Sequence, residues 1–343
     1  MIAPESTRMF AEAAEAGAVV AAQLASNRDR VREIAQRLRA APPRAVMTCA
    51  RGSSDHAATF AKYLIETRVR VPTISAAPSV ASVYGAPAQA EEMLCLAISQ
   101  SGRSPDLLAT VQAAKSGGAT TLALVNDAGS PLARLADHVL PLGAWPETSV
   151  AATKSFIATL AAVTALVADW SEDSALTDAL AGAPELLGKA WATDWSPLVE
   201  RLARARGLFV VGRGLGLGVA QEAALKLKET CGLHAEAVSA AELKHGPMAL
   251  VGPDFPLLVF RQSDETEGSI DAMVAEMRMR GADVLVAGDA PAGAIALPAP
   301  AAHPAIEPML QIQAFYRAVN ALSLRRGLDP DRPPLLAKVT ETV

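Results

Sequence analysis

The feature that most limits how this chain can fold is an internal repeat. Ser99-Gln100-Ser101 in the first half is answered by Arg261-Gln262-Ser263 in the second, and Gly118-Ala119 by Gly281-Ala282. The two glutamines lie 162 positions apart and the two glycines 163. Cys49-Ala50-Arg51-Gly52-Ser53 corresponds more loosely to Val211-Gly212-Arg213-Gly214. A nearly constant shift across separate motifs argues for a duplicated domain. Each copy alternates short apolar runs with helical stretches, the pattern of a parallel sheet covered by helices. Residues 44–49, 93–98, 120–125 and 138–142 read as strands of the first copy, and 207–212, 256–261, 283–288 and 294–297 as strands of the second. The expected order is a helical segment over 1–34, a first domain over 35–170, a linker helix over 171–194, a second domain over 195–330 and a tail over 331–343. A length of 343 residues gives each copy enough chain to bury its own core.

Composition narrows the function classes. A net charge of −5 and a pI near 5.6 offer no basic footprint for a phosphodiester backbone, so nucleic acid is not an expected partner. The three cysteines, Cys49, Cys95 and Cys231, are irregularly spaced without a C-x-x-C pair, and are expected to be reduced and buried. The five histidines are scattered, so no metal site is read. The N-terminus lacks a basic leader, and the apolar run over 16–25 is short and interrupted by Gln23, so a cytoplasmic protein with no membrane partner is expected. The glycine run from Gly212 to Gly218 has no frame that supplies G-x-G-x-x-G, which argues against a nicotinamide cofactor, and no cofactor is expected. Its glycines are expected to let the turn pass close to a ligand or a partner subunit.

Two constellations carry chemistry. Glu222, Lys226 and Glu229, spaced i, i+4 and i+7, fall on one helix face and can interact, and the following loop brings His245 just before Gly246-Pro247. The competing reading is a solvated helix whose Glu222/Lys226 pair contributes a few tenths of a kcal/mol. The second constellation is a pair of hydroxyl-rich turns between strand and helix, Arg51-Gly52-Ser53-Ser54 and Ser99-Gln100-Ser101-Gly102-Arg103-Ser104 before Pro105. Such turns present backbone N–H groups, hydroxyls and a positive helix end, which suit a phosphate monoester. Alternatively these residues only cap their helices. The second copy carries Asp264 and Glu265 where the first has hydroxyls, so binding and proton transfer are expected to be divided between the copies.

The wording E-A-A-L-K-L-K-E, then H-A-E-A-V, then E-L-K-H-G-P resembles the isomerase domain of glutamine-dependent glucosamine-6-phosphate synthase and its relatives in the sugar isomerase (SIS) domain family. The resemblance implies two tandem doubly wound parallel-sheet SIS domains, flavodoxin-like three-layer α/β/α, behind an N-terminal helical segment. The family's G-T-S and S-Q-S-G-x-T are similar to Gly52-Ser53-Ser54 and Ser99 to Ser104, which implies that Ser54, Ser99, Gln100, Ser101 and Ser104 hold a sugar phosphate, with Gly52 and Ser53 in the same turn. Thr148 to Lys154 resembles the V-A-S-T-K segment that lines the sugar, through Val150 and with Ala152 in place of the usual Ser; Lys154 could equally be a helix-surface residue. The tail from Leu335 to Glu341 resembles L-A-K-S-V-T-V-E, whose Ala and Lys close over substrate, implying Ala337 and Lys338.

By the same resemblance His245 opens the sugar ring, Glu229 shuttles the proton, Lys226 stabilises negative charge on oxygen and Glu222 supports Lys226. The family places the His245 loop across a dimer interface, so a homodimer with an active site at that interface is expected. The chain opens on Met1-Ile2 without the family's glutaminase domain, which leads to the expectation of a glucosamine-6-phosphate deaminase releasing fructose 6-phosphate and ammonia. A galactosamine-6-phosphate deaminase, a deglycase, a phosphosugar isomerase and a non-catalytic phosphosugar sensor stay open as alternatives.

Overall fold

The computed structural model describes residues 2–338. Along the chain run α1 (Arg8–Ala14), α2 (Ala16–Ala40), β1 (Ala45–Cys49), α3 (Ser53–Arg68), β2 (Thr73–Ser75), α4 (Pro78–Ser82), β3 (Met93–Ser99), α5 (Pro105–Ser116), β4 (Thr120–Val125), α6 (Pro131–Leu135), β5 (His138–Pro141), α7 (Lys154–Ser171) and α8 (Ser174–Trp191). They are followed by α9 (Ser196–Leu202), β6 (Gly207–Gly212), α10 (Gly216–Cys231), β7 (His234–Ser239), β8 (Pro256–Phe260), α11 (Glu267–Met279), β9 (Asp283–Ala287), β10 (Ile295–Leu297) and α12 (Glu307–Arg325). The chain forms two compact units. The first comprises Ala18–Glu147, Ser155–Ala181 and the tail from Ala337; the second runs from the N-terminus to Gly17 and adds Thr148–Lys154 and Gly182–Leu336.

The first unit holds a parallel sheet in the order β2-β1-β3-β4-β5. Its inner strands read as unbroken apolar runs, Leu94 to Ile98 and Leu122 to Val125, because both faces are covered. Gln23, which interrupts the apolar pattern of α2, is buried and donates to the carbonyls of Leu142 and Ala158, while Asn27 donates to that of Pro141. The order turns back between β1 and β3, so the loops at the carboxyl ends of these paired strands meet at a topological switch point.

The second unit repeats that topology as β10-β9-β8-β6-β7, all parallel. Every residue of β8 is buried, and Phe315 and Tyr316 of α12 are fully so. The edge strands β2 and β7 have no counterpart in the sequence reading. β2 has three residues, only Thr73 of them buried, and β7 buries only Ala235 and Val238 of its six residues, so neither presents an apolar run. The glycines at the start of α10 serve packing within the unit. A Cβ on Gly212 would lie 2.3 Å from the Gly216 carbonyl oxygen, and one on Gly216 would lie 2.2 Å from Oε1 of buried Gln262.

Candidate functional site

The two hydroxyl-rich turns of the first unit come together as the sheet order requires. Cys49 at the end of β1 is in register with Ala97 of β3, so the turn at 51–54 lies beside that at 99–104. Arg51 joins them, its Nε and Nη2 donating to Asp106 Oδ2 at 2.9 and 2.8 Å; Asp106 itself is buried at the first turn of α5. Gly102 has φ +63, and a Cβ there would sit 2.3 Å from Ser130 Oγ, so only glycine fits. Ser99 is buried and its hydroxyl accepts the Gly102 N–H at 3.0 Å, which makes it a former of the turn. Ser104 stands at the N-cap of α5 yet makes no side-chain capping bond. The hydroxyls of Ser54, Ser101 and Ser104 are half-buried and make no hydrogen bond within the described residues. Gly52, with φ +54, caps α3 ahead of half-buried Ser53, and Gln100 is half-buried at the start of the second turn. Two long helices thus direct their N-termini at one set of spare donors.

The second copy of this turn is filled from within. Ser263, the counterpart of Ser101, donates its N–H and hydroxyl to the Glu307 carboxylate at 2.8 and 2.6 Å. Arg261, the counterpart of Ser99, is buried and paired with Asp271 at 2.7 Å and Glu267 at 2.8 Å. An internal carboxylate therefore satisfies in the second copy the donors left spare in the first.

The Glu/Lys face of α10 is buried, not solvated. Lys226 Nζ lies 2.6 Å from Glu229 Oε2 and 3.3 Å from Glu222 Oε1, and Tyr316 Oη donates to Glu222 Oε1 at 3.2 Å. The Glu222 side chain is 0% exposed and that of Lys226 1%, while Glu229 reaches the surface at 19%. Burial acts to lower the Lys226 pKa, but Glu222 and Glu229 outweigh it and push it up to about 12. The ammonium is fully charged, and Glu229 is the most accessible of the three groups.

His245 ends a 3-10 turn, Glu242–His245, and is exposed; no side-chain hydrogen bond ties its imidazole to Glu229 or to any other described residue. In the loop Thr148–Lys154, Val150 and Ala152 are half-buried, whereas Ser149, Ala151, Thr153 and Lys154 are buried. Lys154 is not on the surface: its side chain is 1% exposed and its ammonium meets Glu15 Oε2 at 2.5 Å. Glu12 accepts from the backbone N–H groups of Thr148 and Ser149 at 2.6 and 3.1 Å and from their hydroxyls at 2.9 and 2.6 Å. Burial pushes its carboxyl up, but these bonds prevail and hold it below the ordinary value. The sequence reading missed Glu12 and Glu15; the available signal was two acids three residues apart on an alanine-rich helix. Ala337 is exposed, and Lys338 Nζ lies 3.2 Å from Glu147 Oε2. The rest of the matched tail, 339–341, falls outside the described residues.

The three cysteines are buried and free; burial pushes the thiols of Cys49 and Cys95 up to about 12 and that of Cys231 up to about 11. Among the described residues no group of three or more His, Cys, Asp or Glu side chains could hold a metal ion, and no helix is long and apolar enough to cross a membrane. A separate cavity of about 670 Å³ in the second unit, lined by Trp195, Arg317 and Arg325 among others, involves none of the residues above.

Comparison with known proteins adds an independent line. A family model described as the SIS domain matches residues 41–168 and 201–324. The chain is 36% identical over 296 residues to the isomerizing glutamine–fructose-6-phosphate aminotransferase of Methanothermobacter thermautotrophicus, covering 84% of this chain and 50% of that one. It is 33% identical to the protein of the same name from Thermococcus kodakarensis, covering 91% and 54%. The chain thus spans about half the length of these curated relatives. Among solved structures, one from Silicibacter pomeroyi DSS-3, provisionally described as a phosphosugar isomerase, is 41% identical, with a TM-score of 0.90 over 95% of this chain and 100% of that one. The C-terminal domain of glucosamine-fructose-6-phosphate aminotransferase from Francisella tularensis is 25% identical, with a TM-score of 0.86 over 96% and 98%.

Proposed function

Because the chain belongs to the SIS domain family, we propose that it catalyses aldose–ketose proton transfer on a sugar phosphate, converting glucosamine 6-phosphate and water to fructose 6-phosphate and ammonia. One contrast supports the phosphate above all: Ser263 holds the Glu307 carboxylate, while the equivalent Ser101 keeps its donors for an external anion. The amino sugar draws on the curated relatives, whose name joins fructose 6-phosphate to amino transfer.

In this reading Ser54, Gln100, Ser101 and Ser104 hold the phosphate with the N-termini of α3 and α5, and Ser99 shapes the turn. Val150, Ala152 and Ala337 line the sugar. His245 assists ring opening. Glu229, paired with the Lys226 ammonium at 2.6 Å, removes the C2 proton of the open-chain aldehyde. Lys226 offsets negative charge developing on oxygen, with Glu222 and Tyr316 fixing it from behind. Return of the proton to C1 leaves an imine at C2; water adds there, ammonia departs, and no oxidant or reductant is consumed. The family resemblance extends the reading to a homodimer that shares the His245 loop.

The test is a coupled assay of ammonia and ketose formation over amino and neutral sugar phosphates, without added nucleotide. Ammonia released in step with fructose 6-phosphate is the expected result. Turnover of a neutral aldose phosphate alone would make the protein an isomerase, and calorimetric binding without turnover would make it a sensor.

A further inference from the structure

The tail lysine meets a buried carboxylate that the proposed chemistry leaves unused. Glu147 is 0% exposed at its side chain. Its Oε1 accepts the Ser155 backbone N–H at 3.1 Å, and its Oε2 accepts the Ser155 hydroxyl at 2.6 Å. Ser155 is the second residue of α7, an 18-residue helix, so the carboxylate is clamped at two points where the helix dipole favours negative charge. The oxygen held by the Ser155 hydroxyl is also the one that meets Lys338 Nζ at 3.2 Å, and the Lys338 side chain retains 23% exposure. A buried carboxylate is costly without a cation, and here the tail supplies one.

We propose that Glu147 is the positioning residue for Lys338: a preset anionic dock, built on the start of α7, that fixes where the tail ammonium stands during turnover. The inference rests on the proposed sugar-phosphate chemistry and on the family resemblance by which Lys338 closes over the substrate. Glu147 itself touches no substrate in this scheme. It works by limiting the positions open to the lysine, and misplacing a reacting group by about 1 Å can cost roughly 100-fold in rate.

The full chain allows a test independent of activity, because trypsin cutting after Lys338 releases residues 339–343, detected by mass spectrometry. Glu147→Gln keeps the shape and the Ser155 contacts but removes the charge. It should speed this cut by roughly 10-fold, since cleavage follows the population in which the lysine is released. The same variant should lower kcat by roughly 10- to 100-fold with little change in KM. In a Lys338→Met background the kcat effect of Glu147→Gln should vanish, whereas a general packing defect would persist there. Unchanged cleavage in Glu147→Gln overturns the dock, and faster cleavage with unchanged kcat overturns its role in turnover. If Glu147→Gln does not fold, Ser155→Ala loosens the carboxylate while keeping its charge, and must speed the cut and lower kcat together. A wild-type chain inactive on every sugar phosphate sinks the functional reading and the role of Lys338 with it, while the cleavage rates still decide whether the dock exists.

Discussion

Lys226→Met tests the central feature of α10. The wild-type ammonium sits between Glu229 at 2.6 Å and Glu222 at 3.3 Å, and its pKa is raised from 10.5 to about 12. That rise corresponds to about 2 kcal/mol of stability. Because the folded pKa lies above the unfolded one, this contribution is complete below pH 10.5 and is lost as pH rises through about 12. Methionine fills the same space but leaves Glu222, 0% exposed, without its cation. Removing one partner of a buried pair costs about 3–5 kcal/mol, and that loss is expected at about pH 8. At about pH 5.5 the loss should shrink, because the buried carboxylate of the variant takes up a proton more readily than the same group in the unfolded chain, and stability then rises as pH falls. Glu222→Gln combined with Lys226→Met should recover much of the deficit. Urea unfolding followed by circular dichroism and tryptophan fluorescence at both pH values measures all three quantities. A single variant within about 1 kcal/mol of wild type, or a double variant no better than the single, would refute the account of a buried, charge-matched cluster.

Other outcomes follow from the same geometry. Ser101→Ala should raise KM for a phosphorylated substrate with little effect on kcat, because phosphate contacts are nearly equal in ground and transition states; steady-state kinetics decide it. Glu229→Gln should lower kcat by roughly 100-fold or more with affinity largely kept. His245→Asn should slow the cyclic sugar more than an open-chain analogue, and a mixed dimer of the two variants should regain activity in one of its two sites; mixtures that stay inactive while both parents fold count against a shared dimeric site. Glu12, with its pKa depressed, contributes stability that is complete above 4.5 and lost as pH falls through the folded value, so Glu12→Gln should be less stable at neutral pH and less sensitive to acid in a thermal melt series.

The periodic signals in the sequence settled the architecture, because they are local. Central strands such as β8 and β9 are apolar over nearly their whole length, and the shift of 162 or 163 positions between copies fixed the repeat of that pattern. The i, i+4, i+7 spacing likewise placed Glu222, Lys226 and Glu229 on one helix face, and the strand-turn-helix order placed the hydroxyl-rich turns at strand ends. Edge strands escaped this reading, since β2 and β7 bury few side chains and their pairing comes from a neighbouring strand. What covers a polar face is equally hidden from local pattern. The spacing of α10 fits a solvated helix as well as a buried cluster, and only Tyr316, 94 residues from Glu222 along the chain, and the buried surroundings decide between them. Glu12 finds Thr148 136 positions away, and Glu147 finds Lys338 191 positions away. Ser263 and Ser101 look alike in sequence, and it is Glu307, arriving from the start of α12, that satisfies one and not the other. A carboxylate or hydroxyl reads the same in sequence whether water or a distant side chain completes its hydrogen bonds; the folded chain makes that choice, because burial removes water and leaves only the partner that the tertiary structure brings.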